Sequence, residues 1–243
     1  MHIVKVDATE STNTFLKEMC QQSTLENFTV VIADEQTKGR GQMHASWQSE
    51  KGKNLTFSIL IRFSDLKIDQ QFYISKIISL SIYDVLSDLL PTKISVKWPN
   101  DILSAHQKIC GVLIENSVKK TQIKHSVVGI GLNVNQLKFE NLPNATSMKI
   151  ISNTTFDLKI VLQDLIKSIK KHVEILNSKN YQLIDAMYIK HLYKFDTPAM
   201  FECDSGKFMG KIVGVSLQGK LQLELESETI KEFGLKEIEF LNQ

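Results

Sequence analysis

The hydrophobic positions change period several times along the chain. Residues 2–6 (HIVKV) alternate as a short strand. Phe15, Leu16, Met19 and Cys20 then recur at helical spacing behind Ser11 and Thr12, hydroxyls suited to capping a helix start. FTVVIAD (28–34) and NLTFSILIRF (54–63) read as strands with a polar loop between them. Over 69–90, Phe72, Ile77, Ile78, Leu80, Ile82, Val85, Leu86 and Leu89 predict a buried helix ending before Pro91. KISVKW, DILS, KICGVLIENS and IKHSVVGIGLNVN follow as strands, with a turn at 119–121 between the last two. Helical spacing returns over 156–177 and about 180–194. From Thr197 onward PAMFEC, GKFMGKIVGVS, GKLQLELE, IKEFGL and EIEFL are short strands, with turns at 204–206 and 218–219. This order is not βαβα alternation, so the expected class is α+β. Residues 1–195 should form a mixed sheet with flanking helices, and 196–243 a small β-barrel that needs the main domain to pack against.

Composition narrows the field. With 42% hydrophobic residues the chain can bury a substantial core, and a net charge of +2 leaves basic character only local, against a broadly DNA-binding surface. Cys20, Cys110 and Cys203 lie far apart without a C-x-x-C, and read as reduced, mostly buried thiols. The N-terminus carries no signal segment, and no apolar run approaches the ~18 residues of a membrane span. A cytoplasmic protein is expected, with the sequons at Asn54, Asn144 and Asn153 accidental.

Four stretches can carry chemistry. In TKGRGQMHASWQSEKGK, Gly39 and Gly41 flank Arg40, so backbone can bend close to a ligand while the guanidinium grips an oxyanion. Position 44 is His and no G-K-[ST] follows, so the loop is neither a dinucleotide fingerprint nor a P-loop. Trp47 on such a loop argues for a cover that closes over something. In KWPND, Pro99, Asn100 and Asp101 suit a tight turn. The bland reading is a hairpin with a packed Trp98; the functional one is a cation, Lys97, and a carboxylate, Asp101, for phosphate and Mg²⁺. In VVGIGLNVN, alternation sends Val128, Ile130, Leu132 and Val134 to one face and Gly129, Gly131 and Asn133 to the other. With Gly111 beside Lys108, that second face is bare, as under a closely approaching ligand or a crowded sheet crossing. Ser11-Thr12-Asn13 offers a cap for at least one hydroxyl and polar contacts for a ligand. The six histidines are scattered and no Ser-His-Asp set stands out, so a ligase or transferase handling a nucleotide is expected rather than a nucleophilic hydrolase.

S-T-N, Q-T-K-G-R-G, W, K-W-P-N-D, K-I-C-G-V-L-I-E and G-I-G-L-N-V occur in this order between about residues 6 and 135. In these the chain resembles the biotin protein ligases, whose catalytic domain resembles the class II aminoacyl-tRNA synthetase fold. The resemblance implies biotin and MgATP as substrates, biotinyl-5′-AMP as intermediate, and a lysine of a biotin carboxyl carrier domain as acceptor. S-T-N begins at residue 11, so a monofunctional form without a DNA-binding domain is expected. The resemblance places Ser11, Thr12, Asn13, Gln36, Arg40, Gly41, Gln42, Lys108, Gly111, Gly129 and Gly131 around biotin, and Arg40, Trp47, Lys97 and Asn133 around ATP. It makes Arg40, Lys108, Lys97 and Asp101 the catalytic set, with Asp101 toward Mg²⁺. No membrane is implied, and monomer and homodimer stay open. Lipoate or octanoate ligation is the alternative enzyme reading, but those acyl groups lack the ureido ring that Ser11, Thr12 and Gln36 suit. A non-catalytic biotin- or carrier-binding module is the alternative of another class.

The family's common G-R-G-R-R-G-R is here G-R-G-Q-M-H-A, with Gln42 for an arginine and His44 for a glycine. If closure of the loop needs positive φ at position 44, His44 is strained there. A charge-assisted bond lost at Gln42 is worth roughly 1.5–3 kcal/mol. Gln42→Arg is therefore expected to slow release of biotinyl-5′-AMP, measured as an off-rate; an unchanged rate contradicts the reading.

Overall fold

A computed structural model describes residues 2–42 and 45–241. His44 lies outside the described residues. Seven strands form the main sheet: β1 (Ile3–Thr9), β2 (Val30–Gln36), β3 (Leu55–Lys67), β4 (Ile94–Lys97), β5 (Asp101–Ser104), β6 (Gln107–Lys119) and β7 (Gln122–Leu132). Their order is β1-β2-β3-β7-β6-β5-β4, with β1 and β2 parallel and every other pair antiparallel. The expected mixed sheet is thus present.

Alternation along the long central strands decides what each face holds. Phe57, Ile59 and Ile61 of β3, Cys110 and Val112 of β6 and Val128, Ile130 and Leu132 of β7 enter the large core. That core is closed by α2 (Phe72–Leu89) and α4 (Leu158–Asn177). On the opposite face α1 (Thr12–Gln22) buries Leu16 against Val31, Leu60 and Val127. This second cluster is small, and beyond it the face carries Thr56 and Ser58 of β3, then Gly111 of β6 and Gly129 and Gly131 of β7.

Several elements differ from the sequence pattern, β3 among them, which runs on to Lys67. β2 starts at Val30 because Phe28 (φ 62°) is in the left-handed region. α5 (Tyr181–Lys190) stops short of 194 because the chain there pairs with β4: Val96 N–H donates to His191 O and Tyr193 N–H to Val96 O, both at 2.8 Å. The short α3 (Met148–Ser152) was not anticipated; Ser147 caps it by accepting from Ile150 N–H. Cys110 is buried, but Cys20 and Cys203 are only half-buried, so the expectation of mostly buried thiols holds for one of the three. Asn54 is buried and fully engaged, donating to Gln136 Oε1 and Ser49 Oγ and accepting from Val134 N–H. No helix among the described residues is long and apolar enough to cross a membrane.

The C-terminal strands are β8 (Pro198–Cys203), β9 (Gly206–Val215), β10 (Leu221–Leu225), β11 (Ile230–Phe233) and β12 (Glu239–Phe240). Where a small β-barrel is expected they form a five-stranded antiparallel sheet in the order β11-β10-β9-β8-β12. The β9–β10 turn docks on the main sheet: Trp98 Nε1–H donates to Gly219 O at 2.9 Å. Gly219 has φ 85°, and any Cβ there would overlap the Phe72 ring. Gly219→Ala is therefore expected to cost about 1–3 kcal/mol in urea unfolding. An unchanged midpoint would contradict this packing.

Candidate active site

The site is built on the bare part of the sheet. Gly111 and Gly131 are direct cross-strand partners, and Gly129 lies opposite Leu113. Thr56 and Ser58 of β3 pair with Gly131 and Gly129 from the other side. The sequence pattern reserves this patch for a ligand or a close backbone, but the chain's own side chains occupy part of it. A Cβ on Gly129 would overlap the Asn13 amide, and one on Gly131 the Trp47 indole. A Cβ on Gly111 would come within 3.1 Å of Trp47 Cζ3.

At one end a polar network surrounds the start of α1. Ser11 takes the N-cap position but makes no capping bond, contrary to the expectation that a local hydroxyl caps this helix. Instead Gln36 Oε1, from the end of β2, accepts from Thr12 N–H at 2.8 Å and from Thr12 Oγ1 at 3.0 Å. Ser58 Oγ reaches Thr12 Oγ1 at 2.7 Å and Asn13 Oδ1 at 2.5 Å, and with one proton serves one of them at a time. Asn13 Nδ2 donates to Leu113 O and Glu115 Oε2. Its amide is committed to the protein, so Asn13 orients its neighbours. Among the described residues the Ser11 hydroxyl and Gln36 Nε2 make no such bonds, and both residues line a cavity of about 240 Å³.

The cations that line the first cavity, Arg40 and Lys108, are each matched to a carboxylate. Arg40 Nη2 donates to Thr14 Oγ1 at 3.0 Å and lies 3.4 Å from Glu115 Oε2, whose other oxygen accepts from Lys17 Nζ at 2.9 Å. Burial works against the Glu115 charge. The hydrogen bonds from Lys17 and Asn13, with the charges of Lys17 and Arg40, outweigh it and hold the carboxyl below its usual range. Lys108 Nζ pairs with Asp101 at 2.6 Å and lies 5.9 Å from the Trp47 ring centroid. Asp101 is brought there by the KWPND hairpin, in which Lys97 and Asp101 are cross-strand partners.

Most predicted site residues converge. Ser11, Thr12, Asn13, Gln36, Arg40, Gly41, Gln42, Trp47, Asp101, Lys108, Gly111, Gly129 and Gly131 all line the first cavity. Asn133 lines a second one of about 250 Å³, which shares Ser46, Trp47 and Lys108 with the first and extends to Phe139, Leu142 and Pro143. Asn133 donates to Thr146 O at 3.0 Å, while its Oδ1 is buried without a partner among the described residues. Lys97 lines neither cavity; its ammonium lies 5.0 Å from the ring centroid of Phe240. Burial pushes that ammonium below its ordinary pKa, with Asp101 pulling the other way. Among the described residues no group of three His, Cys, Asp or Glu can hold a metal ion. Sequence reasoning did not single out Ser58, Thr14 or Glu115. Ser58 and Glu115 were detectable as polar residues that alternation places on the glycine-bearing face, opposite the large core.

Residues 6–133 match the profile of the Biotin/lipoate A/B protein ligase family. The bifunctional ligase/repressor BirA of Bacillus spizizenii is 27% identical over 98% of this chain and 74% of its own length. The biotin–[acetyl-CoA-carboxylase] ligase of Mycobacterium tuberculosis is 27% identical over 83% of this chain and 75% of its own. Among solved structures, the biotin protein ligase from Aquifex aeolicus in complex with biotin and ATP superposes with a TM-score of 0.81 at 28% identity. That superposition covers 100% of this chain and 99% of the other.

If Trp47 rests on the bare patch, adding one methyl group there must displace it. Gly131→Ala is expected to shift tryptophan emission to the red and raise acrylamide quenching, with buried Trp98 contributing a constant, quencher-shielded background. Unchanged fluorescence would contradict the placement of the indole.

Proposed function

The chain belongs to the biotin/lipoate A/B protein ligase family, and on that footing we propose that it is an ATP-dependent biotin ligase. It activates biotin to biotinyl-5′-AMP and passes the biotinyl group to a lysine of a biotin carboxyl carrier domain. The observation that carries the reading is the pair of cavities sharing Trp47 and Lys108. One ends in the Ser11, Thr12 and Gln36 groups, which suit a ureido ring with one strong acceptor and two donors. The other offers Asn133 and an apolar wall, a setting for a purine. A lipoyl or octanoyl chain would leave the hydroxyl–amide end without partners.

In the first step a biotin carboxylate oxygen attacks the α-phosphorus of ATP in line, and pyrophosphate leaves. Two anions must meet, so positive charge placed at the junction lowers the barrier. Lys108 lies at that junction, and Arg40 borders the same cavity. Both exchange their carboxylate partners for substrate oxygens. Gly41 and Gln42 border the ligand, while Gly111, Gly129 and Gly131 make room for the Trp47 and Asn13 side chains that shape the cavity, Asn13 holding its polar end. Lys97 contributes field from behind Asp101 toward the triphosphate. Among the described residues Asp101 is the single carboxylate lining the first cavity, which suits a magnesium ion otherwise held by phosphate and water; when bound it would screen phosphate charge. In the second step the acceptor amine attacks the acyl carbon, its proton is lost to solvent, and AMP leaves. The loop bearing Trp47 keeps water from the mixed anhydride until then. Residues 1–195 carry both substrate sites in this reading, with 196–243 an accessory unit.

ATP–pyrophosphate exchange tests it. Exchange is expected with biotin and with neither lipoate nor octanoate, and Lys108→Ala should reduce it by about 10²-fold or more. Exchange with lipoate or octanoate, or with no acid, would overturn the proposal.

A further inference from the structure

The hairpin that carries Asp101 is gripped by the C-terminal sheet at two separate points. At the first, Trp98 Nε1–H donates to Gly219 O in the β9–β10 turn. That turn is itself seated on Phe72 of α2, which leaves no space for a side chain at Gly219. At the second, the Lys97 ammonium faces the ring of Phe240 in β12. Phe240 is fixed in turn: it pairs with Phe201 across β12 and β8, and their ring centroids are 5.2 Å apart. Tyr193 closes the other side at 6.3 Å, and Leu241 N–H donates to Met200 O at 3.1 Å.

Neither Gly219 nor Phe240 lines a substrate cavity. What they hold does reach one. Between Trp98 and Asp101 the chain turns through the cis Trp98–Pro99 bond and delivers Asn100 and Asp101 to the first cavity, where Asp101 pairs with Lys108. Asn100 ties the hairpin onward to β6 by donating to Val112 O at 2.7 Å. The ring at Lys97 matters because, among the described residues, that ammonium has no carboxylate within ion-pair distance. The negative face of an aromatic ring offsets part of its desolvation and fixes where it points.

From these contacts we infer that Phe240 and the Trp98–Gly219 bond are positioning elements for the activation step, through which the C-terminal sheet sets the Lys97–Asp101 hairpin and so the placement of Lys108. The inference rests on the ligase reading and extends it to a part of the chain that touches no substrate. It makes an asymmetric claim. The polar end of the first cavity is built by α1, β2 and β3, which these two grips do not contact, whereas Asn100, Asp101 and Lys108 stand at the phosphate end. Lys108 also borders the biotin carboxylate, so loosening the grip must disturb ATP chemistry more than biotin binding, whose polar end is held elsewhere.

Three variants test this: Phe240→Leu removes the ring but keeps an apolar side chain, Phe240→Tyr restores the ring, and Trp98→Phe removes only the N–H and part of the indole. Phe240→Leu is expected to lower kcat/KM for ATP in biotin-dependent exchange by about three- to tenfold. Biotin affinity measured calorimetrically without ATP should change by less than about twofold, and Phe240→Tyr should recover most of the loss. Trp98→Phe should show the same split. Unchanged ATP kinetics in Phe240→Leu would overturn the inference. So would a parallel fall in ATP kinetics, biotin affinity and Tm, which marks a merely structural role. Absence of exchange in the unsubstituted protein would count against the ligase reading alone. The positioning claim would then be decided by NMR of ¹³C-labelled lysines: a shifted Lys108 ε-methylene signal in Phe240→Leu supports it, and an unmoved one overturns it.

Discussion

Everything at this site depends on three adjacent positions of a sheet face having no side chain. Gly111, Gly129 and Gly131 form one contiguous gap across β6 and β7, flanked by Thr56 and Ser58 of β3. Only over that gap can the Asn13 amide descend far enough to meet both Ser58 and Glu115. Only there can an indole lie flat enough to divide the two cavities. The opposite face of the same strands is filled with Val128, Ile130, Leu132, Cys110 and Val112, so the gap costs the large core nothing. One alternating pattern thus supplies both stability and a site.

The electrostatics follow from what settles around the gap. Arg40 and Lys17 share Glu115, and Lys108 holds Asp101, so the site's cations are oriented by carboxylates. These pairs are partly exposed. Pairs of that kind are typically worth about 0–1 kcal/mol, so exchanging them for ligand oxyanions carries little penalty. The cost that matters is geometric: each ammonium and guanidinium must be aimed before substrate arrives, and that aim comes from hairpin, helix and loop together.

Much of this was legible in the sequence. Period-2 and period-3.6 stretches located the long strands of the main sheet and the two long helices on its core side, and the glycine face of VVGIGLNVN was assigned by alternation alone. What was not legible depends on partners distant in sequence. The capping of α1 by Gln36 joins residues 24 apart, and the Asn13–Glu115 bond joins residues 102 apart. Local propensity points to Ser11 for the first and says nothing of the second. The same limit explains Lys97: the hairpin is readable from KWPND, but that the ammonium turns to Phe240 rather than into the cavity depends on a strand 143 positions later (240 minus 97). α5 was read too long because its last turn is replaced by pairing with β4, a tertiary preference no window of sequence contains.

The most direct test of the account is a crystal structure of the protein with biotinyl-5′-AMP. The account predicts the ureido ring against Ser11, Thr12 and Gln36, the acyl phosphate at Lys108 with Arg40 turned from Glu115 onto it, and the adenine beside Trp47 and Asn133. An adenylate seated elsewhere, or one whose ureido ring leaves the Ser11, Thr12 and Gln36 groups unengaged, would contradict it.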